Sequence, residues 1–208
     1  MSNITNFISS FAYTDLARTN RFDVLINAPE RLRKYFNDMP RILSLRCEIA
    51  QLPIRNISVV EQKFGNNPVE KHANMTNYSD MELTFIVSEN MQEKYFFDTW
   101  LELVSPTGTF NPEYKDVYTA PITITQYDLR NRVSYAVELV DAFPISTSQL
   151  DLSWDNDSTH KLTVNFAYTY WKQTTEAEML LKRLIDKQVV GGESRIKLYN
   201  SDGTPTSQ

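Results

Sequence analysis

Residues 161–171, KLTVNFAYTYW, decide the fold class. Leu162, Val164, Phe166, Tyr168 and Tyr170 alternate with Thr163, Asn165, Ala167 and Thr169. Successive side chains of a strand point to opposite faces, so this period of two predicts a long strand with one buried and one wet face. The preceding stretch reads as a short strand of Leu150, Leu152 and Trp154 that turns through Asp155-Asn156-Asp157.

Working outward, Val133, Tyr135, Val137 and Leu139 alternate again, and Ile122 and Ile124 alternate with threonines before the polar turn DLRN. The pair predicts an antiparallel hairpin, interrupted after it by Ala142-Phe143-Pro144. Further strands are expected at Phe22–Ile26, stopped by Pro29, at Ile42–Ala50, at Ile54–Phe64 and over Met81, Leu83, Phe85 and Val87. In the second of these Leu43, Leu45, Cys47 and Ile49 share one face, and Ser44, Arg46 and Glu48 the other. Residues 30–41 read as a loop or short helical turn, and GNNPVEKHANMTNYSD from Gly65 as a long polar loop. In MQEKYFFDTWLELV, Phe97, Trp100, Leu101 and Val104 recur at threes and fours, which predicts a helix docked on a sheet.

Three segments are expected: an N-terminal arm at 1–19, a β domain at 20–172, and a C-terminal helix and tail at 173–208. Thr175 and Glu178 form a capping box at the start of that helix, and Gly191-Gly192 ends it. The fold class is therefore mainly β, an antiparallel sandwich or barrel with one packed helix and a C-terminal amphipathic helix.

Composition supports this and excludes several functions. Aromatic residues make up 12% of the 208, as suits pleated sheets. A formal charge of −5 argues against adhesion to phosphates, which depends on Lys and Arg displacing counterions. One cysteine permits no internal disulfide, and the first residues lack the basic and apolar regions of a leader, so assembly in the cytoplasm is expected.

Catalytic constellations are missing from the sequence. His72 and His160 belong to no metal-ligand motif, so neither metal nor cofactor is expected. Cys47 sits among leucines and isoleucine and reads as a packed thiol. No phosphate-binding glycine loop and no nucleophile elbow occurs. Asp151, Asp155 and Asp157 lack the glycine and distal glutamate of a calcium loop and read as a solvated turn.

The order and wording of residues 20–172 resemble the tail tube proteins of contractile-tailed, myovirus-type (T-even-like) phages. The resemblance lies in QLDLSWDNDSTHKLTVNFAYTYW (149–171), in NRFDVLI with Tyr13–Arg18 upstream, in Cys47–Pro53, in MELTFIV with KYFFDTWLELV, and in Pro112–Lys115. It implies a non-enzymatic virion subunit, assembled in the host cytoplasm, whose hexameric rings stack into a tube through which phage DNA passes without specific binding. A tail sheath and a baseplate tube initiator are the implied partners. Alternatives are a baseplate initiator or the tube of a related injection device and, from another class, a small-ligand-binding β-barrel with Trp154, Trp171 and the tyrosines lining its pocket. For ring stacking the expected contacts are Asn66, Asn67, Glu70, Lys71 and His72; for the lumen, Ser44, Arg46, Glu48, Thr123 and Thr125.

Overall fold

The computed structural model describes residues 16–155 and 157–174, together with Ile4. Residues 1–174 make up one compact unit; the second, 175–208, which holds the expected C-terminal helix, lies outside the described residues, as does most of the expected arm.

In chain order the elements are β1 (Phe22–Ile26), α1 (Glu30–Arg33), α2 (Met39–Arg46), β2 (Cys47–Ala50), β3 (Arg55–Gln62), β4 (Glu70–Tyr78), β5 (Met81–Ile86), α3 (Gln92–Val104), α4 (Lys115–Tyr118), β6 (Ala120–Tyr127), β7 (Val133–Thr147), β8 (Lys161–Ala167) and β9 (Tyr170–Gln173). All strand pairs are antiparallel. One sheet runs β1-β6-β7-β8-β5-β2 with β9 also on β7, and β3 and β4 form a separate hairpin.

The long strand β7 belongs to both layers. Its first part pairs with β6 and β9, and residues 143–147 pair with β8. Pro144, which the sequence suggested as an interruption, lies inside the strand near the change of partner, beside a register shift. Bends and bulges of this kind let one strand turn the corner between two sheets. At the bend Asp141 takes φ 56, a left-handed conformation that aspartate and asparagine tolerate better than most residues. Lys115 clamps the corner: its ammonium donates to Asp141 Oδ2 at 2.9 Å and to Thr169 Oγ1 at 2.6 Å.

The hydrogen bond from Lys115, aided by its charge, holds the Asp141 carboxyl below its ordinary range. A carboxyl with a depressed folded value contributes stability above its unfolded value, here near 3.8, and loses it as pH falls through the folded one. Asp141→Asn keeps the backbone preference and removes the charge. It is expected to melt below wild type at neutral pH, with the gap closing below pH 3.8 in thermal melts followed by circular dichroism.

Between the layers the alternating sets meet. Val24, Ile26, Ile122, Ile124, Val137 and Leu139 come from one side; Met81, Leu83, Phe85, Leu162, Val164 and Phe166 come from the other. Register explains the match, since Met81, Leu83 and Phe85 stand opposite Phe166, Val164 and Leu162. Helix α3 closes the core with Phe96, Phe97 and Trp100, the Trp100 indole donating to Tyr118 O at 2.7 Å.

Two readings are corrected. Residues 39–46 form helix α2 and not the first half of a strand: Met39 and Leu43, four apart, are buried, while Leu45 is 78% exposed. Pro40 in the first turn suits a helix start, and Arg46 closes the helix on Glu93. Leu150, Leu152 and Trp154 form no strand, and Leu152 and Trp154 are fully out in solvent.

Candidate assembly interface

The hairpin β3–β4 is the least expected element. The sequence suggested a long polar loop from Gly65, but residues 70–78 form β4, leaving a short turn between the strands. Gln62 pairs Glu70, Glu61 pairs Lys71 and Val60 pairs His72, so the last three ring-contact candidates lie on β4 next to the turn that holds Asn66 and Asn67. Gly65 supplies the turn's left-handed φ of 61.

Nearly every hairpin residue is exposed, including Ile57, Val59, Val60, Phe64, Val69 and Met75. A lone two-stranded hairpin is marginal in water, and exposed apolar strands invite partners. The hairpin is covalently continuous with the sheet, because β2 leads into β3 and β4 leads into β5.

That sheet, in the order β7-β8-β5-β2, has two open edges among the described residues: β2 on one side, and residues 143–147 of β7 on the other. Its face away from the core is mostly polar, with Ile49 and Ile86 exposed on it as well. Thr84 bonds Thr163 at 3.1 Å, Asn165 donates to Ser146 at 3.0 Å, and Lys161 pairs with Glu48 at 2.6 Å.

The lumen candidates separate into three environments. Glu48 lies on this polar face through its bond to Lys161. Ser44 is hydrogen-bonded to Asp23, and Arg46 is paired with Glu93, so both make intrachain ties. Thr123 and Thr125 are buried on β6.

Glu93, which the sequence did not single out, has its carboxylate fully buried. Oε2 accepts from the Ser88 amide at 3.0 Å and from its hydroxyl at 2.9 Å, while Oε1 takes the Arg46 guanidinium. The only signal for it was a glutamate on the docked side of an amphipathic helix.

Burial, with a smaller contribution from the Asp23 charge, pushes the Cys47 thiol up to about 12, so it stays protonated near neutrality and is a poor nucleophile. No group of three His, Cys, Asp or Glu among the described residues is placed to hold a metal ion. The interior is filled by Phe85, Phe96, Phe97, Trp100 and Phe166, and Trp154 stands outside it, which disfavours a ligand-binding barrel.

Among the described residues the chain is a two-layer antiparallel body with open sheet edges and an exposed hairpin that carries several apolar side chains among polar ones. Sequence comparison identifies it further: the phage tail tube protein family model matches residues 17–174, and the chain belongs to that family. Comparison with curated proteins finds no significant match. The fold is similar to solved structures of contractile injection machines. A chain of the anti-feeding prophage baseplate superposes with a TM-score of 0.58 at 16% identity, covering 77% of this chain and 97% of that one. A chain of the PVC sheath-tube complex in its extended state gives 0.58 at 12% identity over 80% and 97%. One from the PVC sheath/tube terminator gives 0.59 at 12% over 79% and 100%.

Proposed function

We propose that this chain is the tail tube subunit of a contractile phage tail. Six copies close a ring, rings stack into a tube inside a sheath, and a baseplate initiator nucleates the stack during assembly in the host cytoplasm. The arm at 1–19 and the segment 173–208 flank the tube body at 20–172. The observation that carries this reading is the exposed hairpin with Ile57, Val59, Val60, Phe64, Val69 and Met75 in solvent, continuous with a sheet whose two edges are open among the described residues. Pairing those edges with identical neighbours removes the aggregation hazard of unpaired strands, and a ring is how a head-to-tail contact closes.

In this reading the hairpin tip, with Asn66, Asn67, Glu70, Lys71 and His72, reaches the adjacent ring. The polar face bearing Glu48, Thr84, Thr163 and Asn165 lines the channel. Glu48 and Glu82 on that face outnumber Lys161, which is itself bound to Glu48. A weakly acidic lining repels a polyanion and lets DNA slide without sticking.

Replacing residues 57–76 by a two-residue turn is expected to leave a folded monomer that forms no tubes. Negative-stain microscopy beside light scattering reads the result, and normal tubes from this variant would overturn the role of the hairpin. A second reading, a baseplate-proximal ring, has support in the similar fold of the anti-feeding prophage baseplate chain. It predicts rings that stop growing unless main tube protein is added.

A further inference from the structure

We propose that the loop 148–160 of one copy docks on the outer face of α2 in the next copy around the ring, with Trp154 packing on Leu45 and the loop's aspartates facing Arg41. The inference rests on the ring reading and specifies its lateral contact.

Topology places the two surfaces at one end of the polar sheet and on its opposite margins. The loop joins β7 to β8 and ends at Lys161. Lys161 stands opposite Ile86, the last residue of β5, and Phe85 stands opposite Cys47, the first residue of β2. Helix α2 enters β2 at that point, so loop and helix share one rim of the sheet. In the order β7-β8-β5-β2, the loop hangs from the β7 margin and α2 from the β2 margin. Within one copy strands β8 and β5, spaced about 4.8 Å from their neighbours, lie between the strands from which the two extend, although Lys161 after the loop reaches across to Glu48. When the open β2 edge of one copy meets the open β7 edge of the next, they come together.

The surfaces are complementary in shape of charge and in apolar content. Loop 148–160 contains Asp151, Asp155 and Asp157 and no Lys or Arg. Leu152 and Trp154 on it are almost wholly exposed. The segment 30–46 has five bases against two acids, Glu30 and Asp38; with Arg46 paired to Glu93 and Arg31 to Glu113, the bases left over are Arg33, Lys34 and Arg41. On α2, Arg41 and Leu45 are four residues apart and so share a face, opposite buried Met39 and Leu43. Both Arg41 and Leu45 are exposed. An exposed tryptophan beside acids fits a leucine beside an arginine, through apolar burial, cation–π attraction and charge. The partner is a second copy of this chain because each copy presents both halves, as a heterologous ring contact requires.

The test uses full-length protein bearing Trp154→Cys and Leu45→Cys, treated with a short bismaleimide and run on a denaturing gel. A ladder of covalent multimers is expected from the double variant and none from either single variant, which also controls for Cys47. Separately, Trp154→Ala and Arg41→Glu are each expected to raise the concentration needed for ring formation at least about tenfold, with monomer melting unchanged. Tubes from the double variant without a ladder, together with wild-type assembly by the two point variants, would overturn the inference and leave the ring reading standing. A wild-type chain that stays monomeric at high concentration, alone and with an initiator, would overturn the ring reading and this contact with it.

Discussion

Trp100→Ala is expected to destabilise the subunit by about 3–5 kcal/mol, a large fraction of the roughly 5–15 kcal/mol by which a folded domain is ordinarily stable. Trp100 is fully buried and lies where helix α3 meets both layers. Its ring stands 5.7 Å from Phe96, 6.5 Å from Phe97 and 6.2 Å from Phe166, so truncation opens a cavity lined by three rigid aromatics that cannot collapse into it. It also leaves the Tyr118 carbonyl without its indole donor. Urea unfolding followed by fluorescence of the remaining tryptophans measures the loss. A change under 1 kcal/mol would mean that α3 is not part of the cooperative core.

Arg46→Ala is expected to cost about 3 kcal/mol by a different route. The Glu93 carboxylate is fully buried and keeps only the two Ser88 donors once the guanidinium is gone. Leaving a buried charge short of a partner is far more costly than removing a pair from the surface. The figure sits at the low end of that range because the Arg46 side chain is 37% exposed and water can reach part of the gap. The double variant Arg46→Ala/Glu93→Gln, which removes the charge along with its partner, is expected to recover a good part of the loss in the same urea assay. Losses that simply add would show that the two residues are not coupled.

The Arg46–Glu93 effect arises at a contact that no local pattern announces. Glu93 reads in sequence as one more acid near a helix start, and Arg46 as a polar residue in an alternating run. Their meeting depends on the packing of α2 against α3. Polar partners of high sequence separation have no periodic signature, because hydrogen bonding imposes no repeat on the chain.

Where one face of an element is buried and the other wet, the sequence by itself determined the structure. Phe22 to Ile26, Met81 to Ile86, Ile122 to Tyr127, Leu162 to Phe166 and, on α3, Phe97, Trp100 and Val104 were legible, because burial sorts side chains at the period of the backbone; Phe96 and not Leu101 completes the docked side. Family-specific wording along residues 20–172 added the class of assembly. The tertiary structure alone decided the rest. Strand β4 lies exposed on both faces, so nothing selects apolar residues at alternate positions, and EKHANMTNY looks like a loop until β3 pairs with it. Met39 to Ile49 fits both periods, and only the placement of Leu43 in the core and Arg46 on Glu93 makes its first part a helix. Strand β7 runs on through Pro144 because Asp141 and Lys115 hold a corner that the neighbouring layers require. The polar face, the open margins and the Trp154 loop acquire meaning from where the sheet order sets them, a relation between distant segments that is not written in any one of them.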